Sequence, residues 1–278
     1  MNLMQTNDKP LTWEEAVLWL RNQPGQRELV EACFYDDPLL AAAKRYYAST
    51  EWEAVKRLLP DGPGRALDLG AGRGISAYAL ARDGWKVVAL EPDPSSIVGA
   101  GAILALSKEA GLDIEVVREW GEQLPFAAAE FDLVHCRQAL HHARDLGRLC
   151  AEIGRVLKPR GRFVATREHV ISRKEDLPRF LKSHPLHYLY GGENAYLLRE
   201  YRSAIESAGI RLTGIFNPMQ SDINAFPETL QGIKRGIARR VGLPIHQLIP
   251  HFALSVLGKL INHPGRLYSF VGEKRSDG

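Results

Sequence analysis

The sequence predicts an α/β protein built on a doubly wound, mostly parallel sheet of seven strands, with helices ahead of it and a helical insertion before the last strand. Three observations carry this reading. Beyond residue 64, short apolar runs alternate with longer helical stretches, the pattern of a parallel sheet covered on both faces. The run Pro60-Asp61-Gly62-Pro63-Gly64 divides that region from an all-helical one before it. The chain of 278 residues is 45% hydrophobic and 25% charged, which is ordinary for a globular domain large enough to bury a core.

Residues 12–59 read as four helices. Thr12 followed by Glu15 is a capping-box pattern, and Trp13, Ala16, Val17 and Leu20 form the stripe behind it. Pro24-Gly25 ends that helix; the next carries Leu29, Val30, Cys33 and Phe34, the third Tyr46 and Tyr47, and the fourth Trp52, Val55, Leu58 and Leu59. Strands follow at 65–69, 86–90, 114–118, 131–136 and 162–166, with helices at 75–82, 95–109 and 146–157. Residues 167–193 are irregular, 197–208 helical and 211–216 a sixth strand. After a mostly helical stretch at 217–266, residues 267–272 supply the last strand. These patterns divide the chain into an N-terminal helical lid (1–60), a sheet core (61–216), a helical insertion (217–266) and a last strand with tail (267–278). In such a sheet, ligands bind beyond the carboxyl ends of the strands where the strand order reverses.

The densest motif is Ala66-Leu67-Asp68-Leu69-Gly70-Ala71-Gly72-Arg73-Gly74, a strand running into closely spaced glycines and then a helix. Bare backbone of this kind lets a ligand approach a helix N-terminus. Val87-Val88-Ala89-Leu90-Glu91 puts an acid at the end of the next strand, where a carboxylate can accept both hydroxyls of a ribose. Leu124-Pro125-Phe126 precedes the fourth strand, and Arg155-Val156-Leu157-Lys158-Pro159-Arg160-Gly161 the fifth. In order and spacing these motifs resemble the class I S-adenosylmethionine-dependent methyltransferases, strongly over 64–166 and more weakly through the last two strands. The N-terminal helices and 217–266 lie outside the resemblance.

The resemblance implies a Rossmann-like methyltransferase fold, S-adenosyl-L-methionine as cofactor, and a set of site residues. Asp68, Gly70, Ala71, Gly72 and Gly74 would line the methionine end, and Glu91 would hold the ribose hydroxyls. Trp120, Gly121 and Glu122 would border the adenine. Here the chain departs from the usual pattern, which has an acid in place of Trp120 and alanine in place of Gly121, so an indole face is expected where a carboxylate is usual. Arg137 and Gln138 would sit beside the methionine moiety. A dinucleotide fingerprint would need a small residue where Ile75 stands, which weighs against an NAD(P) oxidoreductase or epimerase. A non-catalytic binding protein of the same fold is the remaining alternative.

Methyl transfer to a hydroxyl usually needs a general base, and His141, His142, Glu168 and His169 stand just past the fourth and fifth strands. The histidine pair can equally serve as part of a turn and helix start. Tyr46, His187, Tyr188 and Tyr196 are the candidate acceptor contacts, the last three from an aromatic-rich segment between the fifth strand and the last sheet helix. His184 and His187 have metal-pair spacing, but Pro185 stands between them and no third ligand is apparent, so no metal is expected.

The acceptor is expected to be a small molecule or glycoconjugate, methylated at oxygen or nitrogen. Nucleic acid fits poorly: the net charge is only +3, and Arg137-Gln138-Ala139-Leu140 stands where adenine-amino methyltransferases carry an Asn/Asp-Pro-Pro-aromatic motif. Residues 217–278 hold eight basic against four acidic residues. Leu230, Ile233, Ile237 and Val241 form a stripe beside Lys234, Arg235, Arg239 and Arg240, so 226–241 is a candidate for peripheral membrane contact. Cys33, Cys136 and Cys150 are an odd set at unrelated spacings. With a polar N-terminus lacking an apolar signal core, they point to a reducing cytoplasm.

Overall fold

A computed structural model describes residues 10–240, 242, 247 and 249–276. The polar segment 1–9, Val241 of the expected stripe and residues 277–278 lie outside the described residues. Four helices lead in: α1 (Trp13–Arg21), α2 (Arg27–Ala32), α3 (Leu39–Tyr47) and α4 (Thr50–Lys56). The capping box predicted at Thr12 is present: its hydroxyl accepts the Glu15 amide at 3.2 Å, and the Glu15 carboxylate accepts the Thr12 amide at 2.7 Å.

The sheet core then runs β1 (Arg65–Leu69), α5 (Ile75–Arg82), β2 (Lys86–Leu90), α6 (Ala100–Ala110), β3 (Ile114–Val117), β4 (Phe131–Arg137), α7 (Leu146–Val156) and β5 (Leu157–Ile171). Two short helices follow, α8 (Leu177–Ser183) and α9 (His187–Tyr190), then β6 (Tyr196–Leu197), α10 (Leu198–Ser207) and β7 (Ile210–Phe216). The insertion holds α11 (Asp222–Ala225), α12 (Leu230–Arg240) and α13 (His251–Leu260), and β8 (Arg266–Lys274) closes the sheet.

The strand order is β3-β2-β1-β4-β5-β8-β7, with β6 beside β5 off the main path. Neighbours from β3 to β5 pair in parallel, while β8 runs antiparallel to both β5 and β7. The doubly wound, mostly parallel sheet is therefore as expected, with eight strands rather than seven. The extra one, β6, is two residues long and leaves no periodic signal.

Two further boundaries differ. The fifth strand extends well past 162–166 because β8 holds it from Arg162 to Val170. The second sheet helix begins at Ala100 rather than 95, since the Ser95 hydroxyl accepts the Ile97 and Val98 amides and the Asp93 carbonyl takes the Ala100 amide. A side chain that bonds its own neighbouring backbone competes with the helix start.

Each sheet face carries its own core. One packs α7 and α10 through Leu149, Ile153, Tyr201 and Ile205; the other packs α3, α4, α5 and α6 through Tyr46, Trp52, Leu80 and Ile103. The N-terminal helices are thus partly a structural layer on the sheet, and α5 is buried on nearly every side between α3 and the strands. From this region Trp13 of α1 and the turn after α2 line the cleft at the strand ends, where the Trp13 ring meets that of Tyr190 at 4.6 Å.

In the insertion, Leu230, Ile233 and Ile237 of α12 pack inward against Met219, Ala225 and Leu254, leaving Arg235, Arg239 and Arg240 exposed. Among the described residues of this region, the large exposed apolar side chains stand on α13, at Phe252, Val256, Leu257 and Leu260. Among the described residues no helix is long and apolar enough to cross a membrane.

Candidate functional site

The sheet order reverses between β1 and β4, and a cleft of about 660 Å3 opens there, beyond the strands' carboxyl ends. The loop after β1 forms its floor. Gly70, Gly72 and Gly74 all have positive φ (69°, 55° and 82°), a conformation costly for any residue with a Cβ. At Gly70 a Cβ would lie 2.7 Å from that of Ala139, whereas at Gly72 the nearest atom, the Val98 carbonyl oxygen, would be 4.0 Å away. The first glycine is thus needed by the packing of β1 against the loop after β4, and the second leaves the cleft floor bare.

Glu91, at the end of β2, lies in the cleft wall. Its two oxygens accept the Gly72 amide at 2.8 Å and the Asp93 amide at 3.0 Å. Burial pushes its carboxyl up to about 6, partly offset by those two amides. Each oxygen keeps a second lone pair for a further donor.

Asp68 is placed differently from the expectation. It lies under the loop, 1% exposed, and does not line the cleft. One oxygen meets His135 Nδ1 at 2.9 Å, while Oδ2 is buried and has no hydrogen-bond partner among the described residues. An orphaned buried carboxylate oxygen is expensive, and it fits a site that normally offers it a donor.

The remaining cofactor candidates fall together, with one exception. Ala71, Trp120, Gly121, Glu122, Arg137 and Gln138 all line the cleft with Gly70, Gly72 and Glu91, whereas Gly74 does not: a Cβ there would lie 3.2 Å from Ile103 of α6. Trp120 is 54% exposed and carries Arg144 over its ring at 5.0 Å, so it is a cleft wall rather than a core residue. Arg137 is held from below by Glu51 of α4 in a two-pronged pair at 2.7 and 2.9 Å. Despite burial, that carboxylate raises the guanidinium's pKa. The Glu51 side chain is fully buried, so the pair fixes Arg137 between Phe34 and Tyr46.

Of the four candidate bases only His142 lines the cleft. Its Nδ1 lies 3.0 Å from the Gly192 carbonyl. A carbonyl can only accept, so the proton sits on Nδ1 and Nε2 carries the free lone pair. Although its ring is exposed to the cleft, enclosure by the surrounding segments, and then the charge on the neighbouring His141, lower its pKa.

Glu168 is fully buried and does structural work instead. Its carboxylate accepts the backbone amides of Ala139, Leu140 and His141 at 3.0–3.2 Å and meets His141 Nδ1 at 2.7 Å. Burial opposes charge on His141, but the hydrogen bond to Glu168 and the nearby negative charge of Glu193 outweigh it and hold it at about 9. His169 packs beside His141, with ring centroids 4.7 Å apart, and gives its Nδ1 to the Gly265 carbonyl at 2.8 Å. Burial, then the charge on His141, push it down to about 3.

The acceptor candidates require correction. Tyr46 is fully buried between Phe34 and Trp52, in the core under Arg137, and does not reach the cleft. Its neighbour Tyr47 bonds Asp83 at 2.6 Å instead. His187, Tyr188 and Tyr196 also stand away from the cleft lining. Tyr188 packs edge-on against Trp19, and Tyr196 donates to the Ala143 carbonyl at 2.6 Å. The open side is walled instead by Trp13, Cys33, Phe34, Tyr35 and Tyr190. Only Tyr190 belongs to the aromatic segment singled out in the sequence; the others come from α1 and the turn after α2, and no motif marks them.

With the geometry in place, comparison with known proteins is informative. The family described as "Methyltransferase domain" matches residues 67–165. The dimethylglycine N-methyltransferase of Parasynechococcus marenigrum is 38% identical over 110 residues, 39% of this chain and 38% of that protein. The ubiquinone biosynthesis O-methyltransferase of Azorhizobium caulinodans is 30% identical over 102 residues, 37% of this chain and 39% of that one. The chain thus spans about two fifths of the length of these curated relatives.

Among solved structures, geranyl diphosphate C-methyltransferase from Streptomyces coelicolor aligns with a TM-score of 0.59 at 16% identity, covering 95% of this chain and 89% of that one. The cyclase SpnF aligns at 0.56 and 22%, covering 85% and 82%. At such identities the likeness is one of fold.

Proposed function

We propose that this chain, whose residues 67–165 match the methyltransferase domain family, is a class I enzyme that binds S-adenosyl-L-methionine in the cleft and moves its methyl group to an oxygen or nitrogen of a small-molecule acceptor. The observation that carries this is the continuity of the cleft. The bare glycine floor, Glu91 and Trp120 occupy one part of a space whose other walls are His142 and the aromatic group Trp13, Phe34, Tyr35 and Tyr190. About 660 Å3 is within the usual range of small-molecule sites, roughly 300–1,000 Å3, and has to hold both reactants. That favours a small acceptor, or the end of a glycoconjugate, over a macromolecular surface.

The residues present fit the cofactor. Glu91 has a lone pair on each oxygen for the ribose hydroxyls, and Trp120 offers an indole face for the adenine. S-adenosylmethionine supplies a sulfonium-bound methyl group open to direct displacement. The protein's part is then to hold the acceptor atom in line and to exclude water. Arg137, clamped by Glu51, and the loop 139–141, clamped by Glu168, give that part of the cleft a fixed shape. For a hydroxyl acceptor, His142 Nε2 is the base that receives the proton, with Nδ1 anchored on Gly192.

Calorimetric titration with S-adenosylmethionine, S-adenosylhomocysteine and NADH tests the cofactor reading: the adenosyl compounds bind and NADH does not. S-adenosylhomocysteine release across a panel of hydroxyl and amine acceptors then tests transfer. Binding of NADH alone would return the chain to the oxidoreductase class, and cofactor binding without turnover on any acceptor would favour a non-catalytic role.

A further inference from the structure

We propose that His141, His169 and Glu193 bind a divalent transition-metal ion of the zinc class, which staples the segment walling the acceptor side of the cleft to the sheet. The three residues come from the loop after β4, from β5 and from the segment after α9. One ligand atom from each lies within 4.8 Å of the others. On a tetrahedral zinc with bonds of about 2.0–2.1 Å, ligand atoms stand roughly 3.4 Å apart, so a contraction of about an ångström closes the set.

The hydrogen bonds around the cluster aim it inward. His141 gives Nδ1 to Glu168 at 2.7 Å, and His169 gives Nδ1 to the Gly265 carbonyl at 2.8 Å. Both rings therefore keep Nε2 for the cluster. Glu193 Oε1 is taken by the Tyr190 hydroxyl, leaving Oε2 for the centre. Metal-ligating histidines characteristically donate their other ring nitrogen to a carboxylate or carbonyl, and ligating carboxylates are themselves hydrogen-bonded. Every member of this set has such an outer partner.

The independent sign of a missing ligand is Glu193 Oε2. The side chain is only 5% exposed, and among the described residues this oxygen has no hydrogen-bond partner. Its nearest cationic neighbour, His141 Nε2, is 3.6 Å away, beyond hydrogen-bond reach. His184 is an outer partner and not a ligand: the Leu186 amide approaches its Nδ1, so its proton is on Nε2, facing Glu193 Oε1 at 3.7 Å.

Two imidazoles and one carboxylate suit zinc and its neighbours better than magnesium or calcium, which prefer all-oxygen sites. Gly192 and His142, the sequence neighbours of two ligands, line the cleft, so the ion would lie just behind its wall. Fixing Glu193 there fixes Tyr190, Gly191 and Gly192, which form that wall. This inference does not depend on methyl transfer.

The test is calorimetric titration of untagged, chelator-treated protein with zinc chloride at about pH 8, because zinc must displace ligand protons. One equivalent is expected to bind, with a thermal midpoint raised by roughly 5 °C at hundredfold excess over Kd. Glu193→Gln, which keeps the Tyr190 contact, and His169→Asn should each weaken binding by at least about tenfold. X-ray absorption of the zinc-loaded parent should count two imidazoles. Absence of binding, equal binding by parent and both variants, or a zinc shell without two histidines would each overturn the proposal. The last readout decides even if a variant fails to fold.

Discussion

Glu91→Gln separates what the site needs from what the fold needs. In the native chain both carboxylate oxygens already accept backbone amides, from Gly72 and Asp93. Glutamine keeps the shape and one acceptor but turns its NH2 toward the other amide. Leaving that amide without a partner costs about 1–3 kcal/mol. Against this, burial holds the carboxyl at about 6 where 4.5 is ordinary, a penalty on the ionised form of about 2 kcal/mol at neutral pH.

The two effects nearly cancel, so the variant should unfold within about 1 kcal/mol of the parent. Cofactor binding has no such compensation. Losing a charged acceptor to the ribose hydroxyls is worth about 1.5–3 kcal/mol, or roughly 10- to 150-fold in Kd.

The raised pKa adds a second signature. Between pH 7 and pH 5 the ionised fraction of Glu91 falls about tenfold, so the parent's affinity for S-adenosylhomocysteine should fall by up to that factor. The glutamine variant should lack this component. Stability moves the other way: a carboxyl that holds its proton longer when folded contributes most at low pH and loses that contribution as pH rises from about 4.5 to 6. Calorimetric titration at both pH values, with thermal melts of both proteins, reads all of this. A variant that binds within twofold of the parent at pH 7, or that shows the same pH dependence, would refute the ribose assignment.

Three further perturbations follow from the same geometry. Trp120→Ala removes an exposed cleft wall and should weaken adenosyl binding by about 1–3 kcal/mol, the usual worth of base–aromatic stacking, with little change in melting temperature. Unchanged Kd would assign the indole to its contact with Arg144 alone. Glu51→Ala leaves the Arg137 guanidinium buried without its counter-charge, and should cost about 3–5 kcal/mol in denaturant unfolding. For a hydroxyl acceptor, His142→Ala should lower kcat by about 10²–10⁴ while cofactor Kd stays within twofold. Retained turnover would remove the base role from His142.

What could be read from the sequence was whatever is written in contiguous residues. The glycine loop and Glu91 are each the end of one strand, so strand periodicity alone placed them at the same edge of the sheet, and the structure brings them into one cleft. The placements that failed depend on which way a helix face turns. Tyr46 and Tyr47 diverge by about 100° on α3, but only the packing of α3 on α5 shows that both are used by the core and the surface, with neither reaching the cleft. Partnerships across long separations were equally invisible. Arg137 meets Glu51 across 86 positions, and the His141–His169–Glu193 cluster draws on three elements, so a search for metal spacing along the chain found only the unsuitable pair at His184 and His187.

This division bears on the acceptor. The matched segment, 67–165, contains the glycine loop, Glu91, Trp120 and His142, whereas Trp13, Cys33, Phe34, Tyr35 and Tyr190 lie outside it. The relatives' N- and O-methylation therefore says little about which atom the proposed transfer would reach, because the residues that would choose it are not in the shared part. If those outer residues set specificity, removing one should change acceptor recognition and leave the cofactor alone. Trp13 is the sharpest choice, since it closes the cleft by its contact with Tyr190 while its helix is capped independently by Thr12 and Glu15. Trp13→Ala deletes a large apolar contact worth about 1.5–3 kcal/mol, so KM for any acceptor found should rise roughly 10- to 150-fold with cofactor Kd unchanged. Equal loss of cofactor and acceptor affinity would instead make α1 a lid over the whole cleft, and no change in either would place the acceptor elsewhere.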